Sequence, residues 1–142
     1  MLRSRSLPAD PAQVWKLVGD PGKLARWWPN VDRIDRPATD AAVRWVISPR
    51  GRAVPMNYRI ASGAAERSIV WSQQIVGSPF ARSLKASTES FQVGPDPVGS
   101  LVTLELDRRL RGTAKLGWPF MLRGQRRELD RALDALEERF NG

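Results

Sequence analysis

Apolar and polar side chains alternate with a period of two from Val31 to about residue 110, the pattern of strands with one buried face. The alternation is clearest in three rows: Val43, Trp45 and Ile47; Val54, Met56, Tyr58 and Ile60; and Ile69, Trp71, Gln73 and Ile75. Two further strands are predicted at Lys85 to Val93 and Leu101 to Leu110. Turn residues at 49–52, 62–65, 77–79 and 94–99 separate the strands, and connections this short favour antiparallel hairpins.

Two short helices are predicted near the N-terminus, after a first strand at Leu2 to Leu7. Asp10-Pro11 combines an N-cap residue with a proline at the first helical position, and Asp20-Pro21 repeats the signal. The first helix is predicted to end at Gly19 and the second before Pro29.

After Gly112 the apolar period becomes 3.6, which predicts a long amphipathic helix over residues 118 to 140. Its apolar face comprises Trp118, Met121, Leu122, Leu129, Ala132, Leu133, Leu136 and Phe140. A helix of this length spans roughly 34 Å, enough to cross the whole sheet. Because one helix covers a twisted sheet only partly, we expect a cavity between them.

This order of elements predicts an α+β fold. It comprises a six- to seven-stranded antiparallel sheet, a long C-terminal helix that packs on it, and two short helices after strand 1. No repeat or linker interrupts the order, so residues 1–142 are predicted to form one domain.

The absence of cysteine and histidine narrows the possible chemistry. It excludes disulfides, iron–sulfur clusters, thiolate–zinc sites and the usual base of a catalytic triad. An enzyme built on this chain would have to use Asp, Glu, Lys, Arg, Tyr or bound water. We expect neither a metal site nor a cofactor.

The formal net charge is +8, which favours nucleic acid or anionic surfaces over acidic partners. Residues 1–60 contain 11 basic and 5 acidic groups, and residues 108–142 contain 9 and 5, so the excess lies at both ends. No apolar run approaches the roughly 20 residues of a membrane span, and Met1 to Ala9 lacks the apolar region of a secretory signal. We therefore expect a cytoplasmic location.

Three segments resemble a known superfamily: PAQVWKLVGDPGKLARWWPNV at 11–31, GPDPVGSLVTLEL at 94–106 and LDRALDALEERF at 129–140. Together with the order of elements, they resemble the START-like helix-grip (SRPBCC) superfamily, and within it the polyketide cyclase/dehydrase and lipid-transport branch. The resemblance covers nearly the whole chain and implies a helix-grip fold. It also implies binding of an apolar or amphipathic small molecule between helix and sheet. Some members cyclise or dehydrate polyketides, some carry lipids, and some bind macromolecules.

Four of the six tryptophans fall on segments predicted to surround the cavity: Trp28, Trp45, Trp71 and Trp118. Their rings would offer stacking faces to a flat hydrophobic ligand. The alternative is that each ring fills core space, as aromatic side chains on apolar faces usually do.

The same walls supply further predicted ligand-binding residues: Met56, Tyr58, Gln73, Phe91, Met121, Leu122 and Gln125. Tyr58, the one tyrosine, is the preferred hydrogen-bond donor to a ligand; alternatively its hydroxyl reaches solvent at a strand end. The amides of Gln73 and Gln125 need partners if buried, and either a ligand or an ordered water would serve.

Glu89 is the candidate catalytic residue, because it shares a strand face with Phe91 and Val93. If that face is buried, we expect burial to raise the pKa of the carboxyl into the range of a general acid. A hairpin folded about residue 97 places Glu89 opposite Glu105, a pair of like charges that is unfavourable unless one carboxyl is protonated or the register is shifted by one residue. The alternative is that both carboxylates are solvated on the outer face near Arg or Lys.

Three functions follow as hypotheses. The first is binding or transport of a small hydrophobic, aromatic or polyketide-like ligand in the cavity. The second is a cyclase or dehydrase without metal or histidine, in which Glu89 moves a proton. The third is docking on RNA or a ribosome through basic residues such as Arg108, Arg111 and Arg126. Acidic residues follow these at the spacing that allows ion pairs along a helix, so a solvated, salt-bridged helix face is the favoured interpretation.

Overall fold

The computed structural model describes residues 1–141, and within them seven strands form one antiparallel sheet. The strands are β1 (Leu2–Leu7), β2 (Val31–Ala38), β3 (Ala41–Ile47), β4 (Ala53–Ser62), β5 (Ser68–Gln73), β6 (Leu84–Asp96) and β7 (Gly99–Leu110). The α-helices are α1 (Pro11–Val18) and α2 (Trp118–Phe140), and short 3₁₀ helices span Pro21–Arg26, Pro79–Arg82 and Gly112–Gly117.

The strand order is β1-β7-β6-β5-β4-β3-β2, so β1 and β2 form the two edges of the sheet. This arrangement confirms the predicted α+β fold, with its antiparallel sheet, two short helices after the first strand and long C-terminal helix. The second short helix is a 3₁₀ helix, in which the side chain of Asp20 accepts a hydrogen bond from the backbone N–H of Gly22. The 3₁₀ helices at 79–82 and 112–117 have no counterpart in the sequence prediction.

The face of the sheet that α2 covers, here the inner face, carries the hydrophobic core. Cross-strand register places Phe91 of β6 beside Leu104 of β7 and Ile69 of β5 on this face. Leu129, Ala132, Leu133 and Leu136 of α2 pack against the same core. All four lie in the C-terminal half of α2, so the core holds that half of the helix against the sheet.

Ion pairs fix the C-terminal half of α2 over β1. Arg3 pairs with Asp130 of the helix at 3.0 Å, and Arg5 pairs with both Asp134 and Glu137. Exposed pairs like these contribute little stability individually, but they orient the helix along the edge strand. No helix within residues 1–141 is long and apolar enough to cross a membrane.

The backbone around residue 99, the first residue of β7, leaves room only for glycine. Its φ of +150° is rarely adopted by residues with a side chain, and an added Cβ would lie 2.7 Å from the backbone nitrogen of Ala9 and the carbonyl oxygen of Leu7. The β6–β7 turn therefore packs directly on the backbone that leads from β1 into α1.

Candidate functional site

A cleft of about 490 Å³ lies between the inner face of the sheet and the N-terminal half of α2. The helix wall consists of Met121, Gly124, Glu128 and Arg131, which recur every three or four residues and so share one helix face, together with Arg127. The apolar part of the sheet wall includes Val31, Val46, Met56, Leu84 and Leu110. The volume is within the range of small-molecule sites, and it confirms the expectation of a cavity between helix and sheet.

Arg44 and Glu89 form a buried ion pair at the floor of this region. Arg44 donates from Nη1 to Oε1 of Glu89 at 3.0 Å and from Nη2 to Oε2 at 2.6 Å, a bidentate geometry. The two side chains are 2% and 0% exposed. Arg44 belongs to β3 and Glu89 to β6, so the two backbones are three strand spacings, or about 14 Å, apart. The Arg44 side chain crosses this distance over the rings of Tyr58 and Trp71.

Arg108 and Glu128 extend the pair into a network that reaches α2. Arg108 lies 3.4 Å from Glu89 and donates to both carboxylate oxygens of Glu128 at 3.2 Å. The indole N–H of Trp28 donates to Glu128 at 3.0 Å. We call Arg44, Glu89, Arg108 and Glu128 the buried ion network. Its two positive and two negative charges balance, and it joins β3, β6, β7 and α2.

Glu89 is held ionised by this network. Burial by itself raises the pKa of the carboxyl, but the charges and hydrogen bonds of Arg44 and Arg108 outweigh burial and hold the pKa below its ordinary value. The sequence-based expectation of a raised pKa is therefore wrong, because two arginines surround the carboxylate. A group whose pKa is depressed in this way holds no proton to donate at neutral pH.

The depressed pKa predicts acid sensitivity. Above the ordinary glutamate pKa of about 4.3, Glu89 is ionised in both the folded and the unfolded chain. As the pH falls below that value the unfolded chain takes up the proton first, so the free energy of unfolding falls until the pH passes the folded pKa. Urea unfolding between pH 7 and 3 should show a shallower decline for the double variant Arg44→Met/Glu89→Leu. Parallel declines would contradict the pKa assigned to Glu89.

Tyr58 presents a neutral hydroxyl to the cleft. Burial raises its pKa, and the negative charge of Glu89 raises it further, so the phenol stays protonated at physiological pH. Its hydroxyl donates to the thioether of Met56 at 3.7 Å, and sulfur is a weak acceptor. An oxygen atom of a ligand would be a better acceptor for this O–H.

Five of the predicted ligand-binding residues line the cleft: Trp28, Met56, Tyr58, Gln73 and Met121. They come from the segment before β2, from β4 and β5, and from the first turn of α2. The fold therefore brings together residues that are up to 93 positions apart, counting from Trp28 to Met121.

The other six lie outside the cleft lining. Trp71 and Phe91 are fully buried core residues, which is the space-filling alternative for an aromatic side chain. Trp45 lies on the outer face, where its indole N–H donates to Asp35 and the Arg33 guanidinium covers its ring. The remaining three are Leu122, the buried Gln125 and Trp118, which is 55% exposed.

Two of these placements correct the predicted geometry. Trp45 was expected beside the cavity, but β3 turns Ala42, Arg44 and Val46 inward instead, because Arg44 pairs with Met56 of β4. Trp118 begins α2 and projects away from the cleft into solvent.

Glu89 and Glu105 do not face each other. Glu89 pairs with Leu106, and Glu105 pairs with Ser90 on the exposed outer face. The register is shifted by one residue from a hairpin folded about residue 97, which is one of the two ways in which the like-charge pair was expected to be avoided. Glu89 is buried as the first interpretation required, and the neighbouring arginines rather than a second carboxylate set its pKa.

Sequence reasoning did not identify Arg44 or Glu128 and treated Arg108 as a surface charge. Register was the available signal: a β3–β4 hairpin that pairs residue 44 with residue 56 turns Arg44 toward the apolar row of β4. Within residues 1–141, no group of three Asp or Glu side chains is placed to hold a metal ion.

Comparisons with known proteins agree with this architecture. A family profile described as polyketide cyclase / dehydrase and lipid transport matches residues 2–141. A search of curated proteins finds no match.

Solved structures share the fold at low sequence identity. A START superfamily protein from Mycobacterium smegmatis superposes with a TM-score of 0.77 at 17% identity, covering 99% of this chain and 96% of that one. The Zhui aromatase/cyclase from Streptomyces sp. R1128 gives 0.75 at 14% identity, covering 99% and 92%. The di-domain ARO/CYC BexL of the BE-7585A biosynthetic pathway gives 0.78 at 19% identity, with 97% of this chain matched to 45% of BexL. At these identities the similarity establishes the fold.

Proposed function

This chain belongs to the polyketide cyclase/dehydrase and lipid-transport family, and we propose that it binds a small hydrophobic ligand with an oxygen-bearing or anionic end in the cleft under α2. The observation that carries the proposal is the composition of the cleft. Its walls are largely apolar, its buried charges are already paired, and a weakly bonded hydroxyl and two arginines remain available.

The apolar walls supply affinity. Val46, Met56, Leu110 and Met121 offer a surface on which an aromatic or aliphatic body is removed from water, at roughly 25 cal/mol for each Å² buried. Methionine side chains adapt to irregular shapes, so Met56 and Met121 suit a cleft that accepts more than one ligand.

The polar groups define which end of the ligand they recognise. Tyr58 is a neutral donor on the sheet wall, and Arg127 and Arg131 lie on the helix wall. Within residues 1–141, neither of these arginines takes part in an ion pair. A carboxylate, phenolate or phosphate on the ligand would complement them.

The enzyme hypothesis based on Glu89 is less favoured by this geometry. Its carboxylate is fully buried, ionised and bound by Arg44 and Arg108, and it is not among the residues that line the cleft. General acid catalysis needs a proton on a group that reaches the substrate. We therefore propose binding, for sequestration or transport, as the function.

Filling the cleft should abolish ligand binding. Gly124 faces the cleft from α2, and a Cβ added there meets no atom within 4 Å. The variant Gly124→Phe should weaken the affinity for the hydrophobic dyes Nile red and 8-anilinonaphthalene-1-sulfonate by about tenfold or more, or 1.4 kcal/mol. Dye fluorescence and quenching of tryptophan emission report the binding.

Gly124→Ala is the control, because it also replaces the helical glycine, with a gain in helix propensity of about 1 kcal/mol that exceeds the gain from phenylalanine, but it does not fill the space. It should bind both dyes as the wild type does. The pair Arg127→Gln/Arg131→Gln should weaken the anionic dye and leave the neutral Nile red unchanged. Unaltered dye affinity in Gly124→Phe would refute the proposed site.

A further inference from the structure

The segment that leads into α2 exposes three large apolar side chains within five residues. Leu116 is 83% exposed, Trp118 55% and Phe120 73%. Leu116 is the penultimate residue of a 3₁₀ helix, and Trp118 and Phe120 belong to the first turn of α2. A concentration of apolar surface of this kind typically marks an interaction site rather than a random exposure.

The charged side chains within residues 108–127 are all positive. Residues 108–127 contain seven basic side chains and no acidic one: Arg108, Arg109, Arg111, Lys115, Arg123, Arg126 and Arg127. Arg108 is committed to the buried ion network, but Arg109, Arg111, Lys115, Arg123 and Arg126 are exposed. The guanidinium of Arg123 lies 5.9 Å from the centre of the Phe120 ring, so charge and apolar surface are adjacent.

We propose that residues 108–127, which comprise the three exposed apolar side chains and the basic residues on either side of them, dock on an anionic lipid surface. Leucine, tryptophan and phenylalanine are suited to enter the boundary between head groups and acyl chains. Arginine and lysine beside them bind lipid phosphates and are attracted to the negative surface potential of an anionic membrane. The docked protein lies on the membrane through the start of α2.

The charge pattern favours a lipid surface over other occupants. A second copy of the chain would bring two strongly positive segments together, which repel each other. RNA would satisfy the arginines and could stack on Trp118 and Phe120, but it would leave the exposed aliphatic Leu116 without a partner. An anionic bilayer satisfies both the charged and the apolar side chains.

Docking at this segment would also place the cleft at the membrane. Met121 and Gly124, which line the cleft, follow Phe120 within about one helical turn. The inference goes beyond ligand binding, since the exposed residues Leu116, Trp118 and Phe120 do not line the cleft.

Co-sedimentation with vesicles tests the proposal. The wild-type chain should pellet with vesicles of phosphatidylcholine and phosphatidylglycerol, but not with phosphatidylcholine alone, and added salt should weaken the binding. Leu116→Ser/Phe120→Ser should lower the partition coefficient by about tenfold or more. Val98→Ser is the matched control, because Val98 is an exposed apolar residue just before β7, at the opposite end of that strand from Leu110.

A second pair of variants separates local charge from total charge. Arg123→Gln/Arg126→Gln and Arg50→Gln/Arg52→Gln remove the same number of positive charges, and only the first pair should reduce vesicle binding. Three outcomes would overturn the proposal: equal pelleting of Leu116→Ser/Phe120→Ser and wild type; self-association that this double variant abolishes; and salt-sensitive RNA binding without vesicle binding.

Discussion

Glu89→Gln is expected to lower the free energy of unfolding by about 3–5 kcal/mol, a large part of the roughly 5–15 kcal/mol that stabilises a typical domain. The substitution keeps the shape of the side chain but leaves the guanidinium of Arg44 buried without its counter-ion. The Nε of Arg44 already has no hydrogen-bond partner among the described residues, so the remaining contacts cannot compensate. Urea unfolding followed by circular dichroism at pH 7 measures the loss.

Glu105→Gln is the matched control for this change. It lies on β7, one register position from the partner of Glu89, but it faces solvent. Its loss should alter stability by no more than about 0.5 kcal/mol. If the two glutamine variants were equally stable, Glu89 would be solvated and the buried ion network would not exist in solution.

The double variant Arg44→Met/Glu89→Leu distinguishes the cause of the loss. Replacing a buried ion pair by apolar side chains of similar volume is often neutral or stabilising, whereas removing one partner is costly. Arg108 retains Glu128 in this variant, so no unpaired charge is created. The double variant should therefore be more stable than Glu89→Gln, although it carries one substitution more.

Both α-helices and most strands could be predicted from the sequence because these elements carry local signals. The proline after Asp10 begins α1, the change of period after Gly112 precedes α2, and the apolar positions from Leu129 to Leu136 all reach the core. These signals involve residues close in the chain and need no knowledge of tertiary contacts.

The candidate site was predicted only in part because it depends on register. In β3, a shift of one residue exchanges the faces on which Arg44 and Trp45 lie. From sequence alone the arginine is expected to be exposed and the tryptophan buried, because charged side chains are rarely buried. In the β6–β7 hairpin, the same shift separates Glu89 from Glu105 and places it beside Leu106. The length of a hairpin turn sets the register of its two strands, and the turn residues of this sequence do not define that length to within one residue.

The tryptophans provide the second large test, because their predicted and observed positions differ most. Trp71 is fully buried, its ring packs edge-on against Tyr58 at 5.6 Å, and Arg44 lies 4.7 Å from its centre. Removing it in Trp71→Ala leaves a cavity under the floor of the cleft and should cost about 3–5 kcal/mol. The indole N–H has no partner among the described residues, so the loss is one of packing.

Comparison of Trp45→Ala with Trp71→Ala tests which face of the sheet each tryptophan lies on. Trp45 packs with Arg33 and bonds to Asp35 on the outer face, and such an exposed cation–π contact contributes about 0.5–1 kcal/mol. Urea unfolding should therefore rank Trp71→Ala well below Trp45→Ala in stability. If Trp45→Ala were as destabilised as Trp71→Ala, β3 would turn Trp45 and not Arg44 inward. The buried ion network would then be lost together with the charged floor of the cleft, since both depend on that single register.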